Sequence, residues 1–222
     1  MGQLIFVVAK SGKGKSTSLR NLNPDETVIV NTDQKPLPFA KAKDLYNVDK
    51  GNYEKTSDVN KVISKLKEAH KNPKIKTFVV DTWSRVMTDY VMSPAFRSSN
   101  GFAKWGELSG SQYDLLNTIN EKVRDDLNVY LFCHPETHYD DAGFEKLRIA
   151  VQGKQLEKFA PESFSSVVLY AEIKTAPGQD NEHVFRTKNS GSDTCKTPMG
   201  MFEEDEIPND LVIVNEAINA YF

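Results

Sequence analysis

The sequence predicts a single α/β domain over residues 1–222. A mainly parallel sheet is flanked by helices, with a small antiparallel C-terminal part. Three observations carry that prediction. Short apolar runs near residues 3–8, 27–31, 76–81 and 129–133 are almost continuously hydrophobic, the mark of strands covered on both faces. Segments of helical period, 59–70 and 107–126, lie between those runs, as parallel crossovers require. The first run passes directly into a glycine-bearing turn and a helix start.

That first stretch, QLIFVVAKSGKGKSTSLR at residues 3–20, organises the chain. Its loop fits G-x-x-x-x-G-K-[ST] with one departure, Ala9 in place of the first glycine. Gly12 and Gly14 let the backbone turn so that N–H groups converge on anionic oxygens. A helix from about Ser16 adds the positive end of its dipole, roughly half a charge. The phosphate-binding expectation covers Ala9, Lys10, Ser11, Gly12, Lys13, Gly14, Lys15, Ser16 and Thr17. Lys15 reaches the outer phosphates, and the Ser16 hydroxyl ligates magnesium. The Ala9 methyl group matters only if its site needs a positive φ. The bland alternative is a surface turn rich in lysine and glycine. The preceding strand and the downstream partners disfavour it.

The composition bounds the rest. A chain of 222 residues buries about 70% of its unfolded surface, so its core needs no disulfide or metal. A net charge of −3 and a pI near 5.9 give no whole-chain signal for nucleic acid, so any such contact needs a local patch. Cys133 and Cys195 lack zinc-type spacing and read as reduced cytosolic thiols. The N-terminal apolar run is too short for a membrane span or a signal peptide, so no membrane association is expected.

The second strand follows the break at Asn23-Pro24-Asp25 and ends in Asn31-Thr32-Asp33. Ligands in open α/β sheets sit beyond the carboxyl ends of strands, so Asp33 can orient or deprotonate an attacking water. A turn aspartate before Gln34-Lys35-Pro36 is the competing reading. Residues 35–76 carry eleven lysines against five acidic residues. A solvated lysine-rich helix with Val62, Ile63 and Leu66 on its inner face is favoured over a DNA-contacting surface. The strand at 76–81 ends in Asp81, the acidic partner that holds magnesium directly or through water. Thr82 can share in that positioning.

Residues 87–108 read as irregular and aromatic, with Tyr90, Phe96, Phe102 and Trp105 interleaved with Arg97 and Lys104. Those rings either seat the following helix or stack bases. The fourth strand leads into His134, a candidate sensor of the γ-phosphate with Glu136 behind it. The ordinary alternative is a structural histidine. Residues 138–153 read as a long polar loop, functional or mobile, with Lys146, Arg148 and Lys154 near its end. Strands at 167–170 and 183–186 flank the turn Pro177-Gly178-Gln179-Asp180. A short acidic loop at 203–206 precedes a last helix over 209–221, capped by Asn209 or Asp210.

Taken together, the segments AKSGKGKS, VIVNTDQKPLPF, TFVVDT, LFCHPET and DTCKTPMGMF resemble phage-encoded RecA-like ATPases. These form an AAA-type, ATP-binding group that includes single-strand annealing proteins of the Sak type. The resemblance spans nearly the whole chain and implies a RecA-like P-loop NTPase core. It matches Asp33 to a catalytic base that is more usually glutamate, which implies slow hydrolysis or a different water geometry. It matches His134 to a polar sensor and the following loop to a DNA-contacting segment. It also implies a cationic finger acting from a neighbouring subunit, for which Lys188 and Lys196 lie in the matching late segment, with Arg186 as a further option. Such a cation is worth about a thousandfold or more in rate.

The implied cofactors are ATP and Mg2+. The implied partners are single-stranded DNA, further copies of the chain in a ring or filament, and a phage or host replication or recombination protein. The implied location is the cytoplasm, that of the bacterial host if the chain is phage-encoded. The expected function is ATP binding and slow hydrolysis coupled to single-stranded DNA in recombination, annealing or replication. A nucleotide-switched loader or regulator with a protein partner is the alternative. A small-molecule kinase is disfavoured by the scarcity of arginine after Asp81, where only Arg85 and Arg97 occur before the next helix.

Overall fold

The computed structural model describes residues 3–98, 101–139, 142–175, 178 and 180–222. In chain order, β1 (Gln3–Val8) and β2 (Thr27–Asn31) are followed by α1 (Ala42–Leu45), β3 (Tyr53–Lys55), α2 (Val59–Lys71) and β4 (Thr77–Asp81). Three helices come next: α3 (Trp83–Met92), α4 (Pro94–Arg97) and α5 (Gly101–Lys122). Then β5 (Asn128–Cys133), β6 (Pro135–Tyr139), β7 (Glu145–Ile149) and α6 (Lys154–Phe159) lead to β8 (Val167–Lys174), β9 (Glu182–Arg186), β10 (Glu206–Pro208) and α7 (Leu211–Tyr221).

Among the described residues, eight strands form one sheet in the order β10-β9-β8-β1-β5-β4-β2-β3, and β6 pairs only with β7. All pairings from β8 across to β3 are parallel, while β8–β9 and β9–β10 are antiparallel. The strands alternate as period 2 demands, and both faces are covered. Phe6, Val8, Phe78, Val80 and Leu131 point to the side of α2, α3 and α5. Ile5, Val7, Val79, Tyr130 and Phe132 point to the side of α7 and the segment after the phosphate loop. The register sets Val8 opposite Cys133 and Asn31 opposite Asp81, so the carboxyl ends of β1, β2, β4 and β5 finish along one edge.

Four local expectations change. The helix after the phosphate loop is one four-residue 3-10 turn, Ser16–Leu19. Ser, Thr and Asn are weak helix formers and Pro24 follows closely, so no long helix propagates. A single turn aligns few peptide dipoles, so Lys15 and the individual loop N–H groups supply the positive field.

Residues 87–108 are mostly helical, with Ser99 and Asn100 outside the described residues. The Ser93 side chain accepts from Phe96 N and Pro94 opens α4, so the break is a cap between helices. Tyr90 packs edge-on against Phe96 at 5.7 Å, and Phe96 against Trp105 at 5.0 Å. Those rings seat α3, α4 and α5 on one another, although Phe102 stays 88% exposed.

Residues 138–153 are not an irregular loop. All but the last four lie within the span of the β6–β7 hairpin, in which Glu136 pairs with Arg148 at 2.8 Å, and Asp140 and Asp141 fall outside the described residues. β6 carries no apolar alternation to read, and that of β7 is brief, with Leu147 and Ile149 reaching the core while Arg148 pairs across to Glu136. The antiparallel C-terminal part is present, but β8 also runs parallel along β1. Pro177 and Gln179 of the predicted turn lie outside the described residues. Asp210 caps α7, accepting from Val212 N at 3.0 Å.

Candidate active site

A cleft of about 420 Å³ opens at the carboxyl edge of β1, β2, β4 and β5. The phosphate loop forms one wall through Lys10, Ser11, Gly12, Gly14, Lys15, Ser16 and Thr17. Asp33, Asp81 and His134 meet it there. Ala9 and Lys13 belong to the loop without lining the cleft. Gly12 and Gly14 adopt φ of +81° and +95°, conformations that favour glycine. Ala9 is not among the residues with positive φ, so a methyl group is tolerated where the motif usually carries glycine.

The Lys15 side chain is only 7% exposed. Its Nζ donates to the Ala9 carbonyl at 2.7 Å and lies 3.4 Å from His134 Nδ1. Burial lowers the Lys15 pKa, opposed by attraction to Asp81. Burial raises the Asp81 pKa, opposed by a hydrogen bond from the Ser16 hydroxyl and by the Lys15 charge. Thr82 Oγ1 also donates to Asp81 Oδ1 at 3.1 Å. The Ser16 hydroxyl and the Asp81 carboxylate are therefore in contact, two hard oxygen donors of the kind that suit magnesium. Among the described residues no group of three His, Cys, Asp or Glu side chains could hold a metal unaided.

Asp33 is half-buried at the mouth of β2. Two neighbours, Asn31 and Thr32, fix its turn. Asn31 accepts from Gln34 N at 2.8 Å and donates to the Lys35 carbonyl at 2.7 Å, which closes the turn around Asp33. Thr32 Oγ1 accepts from Thr82 N and donates to the Thr82 carbonyl, each at 2.6 Å, so the ends of β2 and β4 are tied together. Asparagine and threonine at a strand end are legible as turn-closing residues, and that signal was available.

His134 sits where the main sheet hands over to the β6–β7 hairpin. Burial first, and the Lys15 cation second, lower its pKa, which favours the neutral imidazole. Its N–H donates to Ser84 Oγ at 3.1 Å, and its carbonyl accepts from Ala150 N at 2.8 Å. Glu136 pairs with Arg148 rather than backing His134. Lys188 and Lys196 do not line the cleft. Lys188 pairs with Asp205 at 2.5 Å, and Lys196 bridges to Val168 with an exposed side chain. Arg186 is held by Glu172 and Asp193 and lies over the Tyr170 ring. His183, on β9, lines the cleft mouth and has no signal in the sequence that links it to the loop.

No curated protein sequence gives a significant match to this chain. Among solved structures, the chain is similar to a KaiC-like protein from the hyperthermophilic archaeon Pyrococcus horikoshii OT3. The TM-score is 0.51 at 11% identity, covering 93% of this chain and 85% of that one. That likeness, with the sheet order and the small antiparallel part, shows a RecA-like fold. No helix among the described residues is long and apolar enough to cross a membrane. A family profile described as AAA domain matches residues 1–198, and the chain belongs to that AAA domain family.

Proposed function

We propose that this chain binds ATP with Mg2+ in the β1–β4 cleft, hydrolyses it slowly, and uses nucleotide state to control contact with single-stranded DNA in phage recombination, annealing or replication. The observation that carries the nucleotide part is convergence. Lys15, Ser16, Asp33, Asp81 and His134 come from four separate strand ends and share one cleft. Lys15 exchanges its contact with the Ala9 carbonyl for phosphate oxygens. Ser16 and Asp81 would hold Mg2+, which neutralises phosphate charge when bound. Asp33 orients a water for in-line attack, and His134 faces the terminal phosphate.

The hairpin supports the coupling. His134 is bonded through both its N–H and its carbonyl to the ends of α3 and β7, so a shift at its ring moves the base of β6–β7. The hairpin exposes Tyr139 and Phe144 beside its basic residue Lys146, a composition suited to stacking bases and pairing phosphates. The cationic finger is assigned to Lys196 or Lys188 of a neighbouring copy in a ring or filament. Exposed Phe102 and Met92 favour the second reading, a nucleotide-switched loader with a protein partner.

The test is binding of a labelled oligonucleotide, single-stranded beside double-stranded, with and without ATP and Mg2+, at two salt concentrations. ATP-dependent, salt-sensitive preference for single strands is expected. ATP binding with no oligonucleotide binding under any condition would replace the DNA reading with the protein-partner one.

A further inference from the structure

Two side chains far away in sequence, His183 and Asn209, lie against the phosphate loop at Gly14. A Cβ added at Gly14 would lie 2.8 Å from His183 Nδ1, 3.3 Å from Asn209 Oδ1 and 3.4 Å from Asn209 Nδ2. Asn209 is 2% exposed, and neither polar atom of its amide has a hydrogen-bond partner. A buried amide left unpaired on both atoms is unfavourable, and the few that persist in native proteins call for an explanation.

The mount of that amide is stiff. Asn209 N donates to the His183 carbonyl at 3.1 Å, and the Asn209 carbonyl accepts from Arg20 Nη1 at 2.6 Å. The next residue, Asp210, accepts from Asn21 Nδ2 at 2.5 Å while its other oxygen caps α7. The backbone at 209–210 is thus clamped to β9 on one side and to the end of the phosphate-loop turn on the other. The backbone that carries the amide is therefore fixed, and the amide lies buried beside Gly14 with both polar atoms unpaired. The group nearest to it is the loop backbone at Gly14, where the lack of a side chain permits close approach.

We propose that Asn209 is a positioning residue of the phosphate loop: its amide is the fixed point onto which the loop backbone closes when a triphosphate fills the cleft. The proposal rests on the nucleotide reading given above. An amide presents both a donor and an acceptor, so it can pair with either side of a peptide group as the loop turns its N–H groups inward. His183 covers the remaining side of Gly14 at the cleft mouth. By this route the antiparallel edge of the sheet and the start of α7 report whether the loop is filled.

The experiment measures affinity for ATP-Mg2+ and for inorganic tripolyphosphate, with melting temperature in the absence of ligand, for wild type, Asn209→Ala and the near-isosteric Asn209→Leu. Both variants are expected to bind both ligands about tenfold more weakly, the loss of one or two hydrogen bonds. Their unliganded melting temperatures are expected to equal or exceed wild type, because the orphaned amide is gone. Unchanged affinity in both variants overturns the proposal. Weaker binding of ATP alone also overturns it, in favour of a contact to the base. A fall in unliganded melting temperature with unchanged ligand-induced shift overturns it in favour of plain structural support. Failure of the wild type to bind either ligand is a different result: it removes the nucleotide reading, and this inference with it.

Discussion

Replacing Lys15 by alanine separates two effects of opposite sign. In the unliganded protein the ammonium is nearly buried, and the downward shift of its pKa means that desolvation outweighs attraction to Asp81 and Asp33. Its one short hydrogen bond goes to the Ala9 carbonyl, at 2.7 Å. Removing it therefore costs the empty fold little, although Asp81 loses its nearest cation. Filled by a triphosphate, the same ammonium makes charge-assisted bonds in a cleft partly shielded from water. Hydrogen bonds to charged groups contribute about 1.5–3 kcal/mol, and each 1.4 kcal/mol is tenfold in affinity. The expected loss is about tenfold to 150-fold. Titration with a fluorescent ATP analogue measures it, and melting temperature with and without ATP-Mg2+ locates it. The variant should melt near wild type when empty and lose most of the ATP-induced shift. Affinity within twofold of wild type would refute the assignment of Lys15 to phosphate and with it the use of this cleft.

Four further outcomes follow from the same geometry. Asp33→Asn should leave ATP affinity near wild type while single-turnover hydrolysis falls about 100-fold or more, the range for a lost general base; unchanged turnover removes Asp33 from the chemistry. Asp81→Asn should abolish the Mg2+ dependence of ATP binding. Its stability effect has a defined sign. Burial raises the folded-state pKa of Asp81, so the native state holds its proton more tightly than the unfolded chain, and the wild type is penalised as pH rises above the usual carboxylate value of 3.8. The gain in stability of Asp81→Asn over wild type should thus be absent below that pH and grow as pH rises through the shifted value, as denaturant titrations across pH would register. A mixture of Lys196→Ala and Lys15→Ala chains should recover ATPase activity that neither has alone; failure with assembly intact argues against a shared site. Phe6→Ala, which empties a fully buried position against Trp83, should cost about 3–5 kcal/mol in urea unfolding.

The core of the site was legible because each of its residues stands immediately after an apolar run. Ala9 follows β1, Asp33 lies in the turn after β2, Asp81 ends β4 and His134 follows β5. Once those runs are read as parallel strands, their carboxyl ends must share an edge, and polar residues there converge without further information. The loop itself is a local object, since Gly12 and Gly14 carry the backbone conformation in their own identity. The hairpin at β6–β7 and the helical state of the stretch before residue 107 were hidden for the opposite reason, whereas the helix expected from 107 is present within α5. β6 lacks an apolar alternation and β7 shows only the short one of Leu147 and Ile149, and aromatic residues look alike whether they stack on bases or on one another.

The amino-acid order by itself marked the candidate site: a loop of phosphate-binding pattern, an acidic residue at the end of a later strand, and an α/β frame that brings them together. Those features depend on neighbours along the chain, and short-range conformational preference is written in residue type. Sheet order belonged to the tertiary structure. By placing β8, β9 and β10 beyond β1, it carries His183 and Asn209 from the far end of the chain to within contact distance of Gly14. No local preference encodes that approach, because it depends on which strand edges remain unpaired after the parallel core has formed.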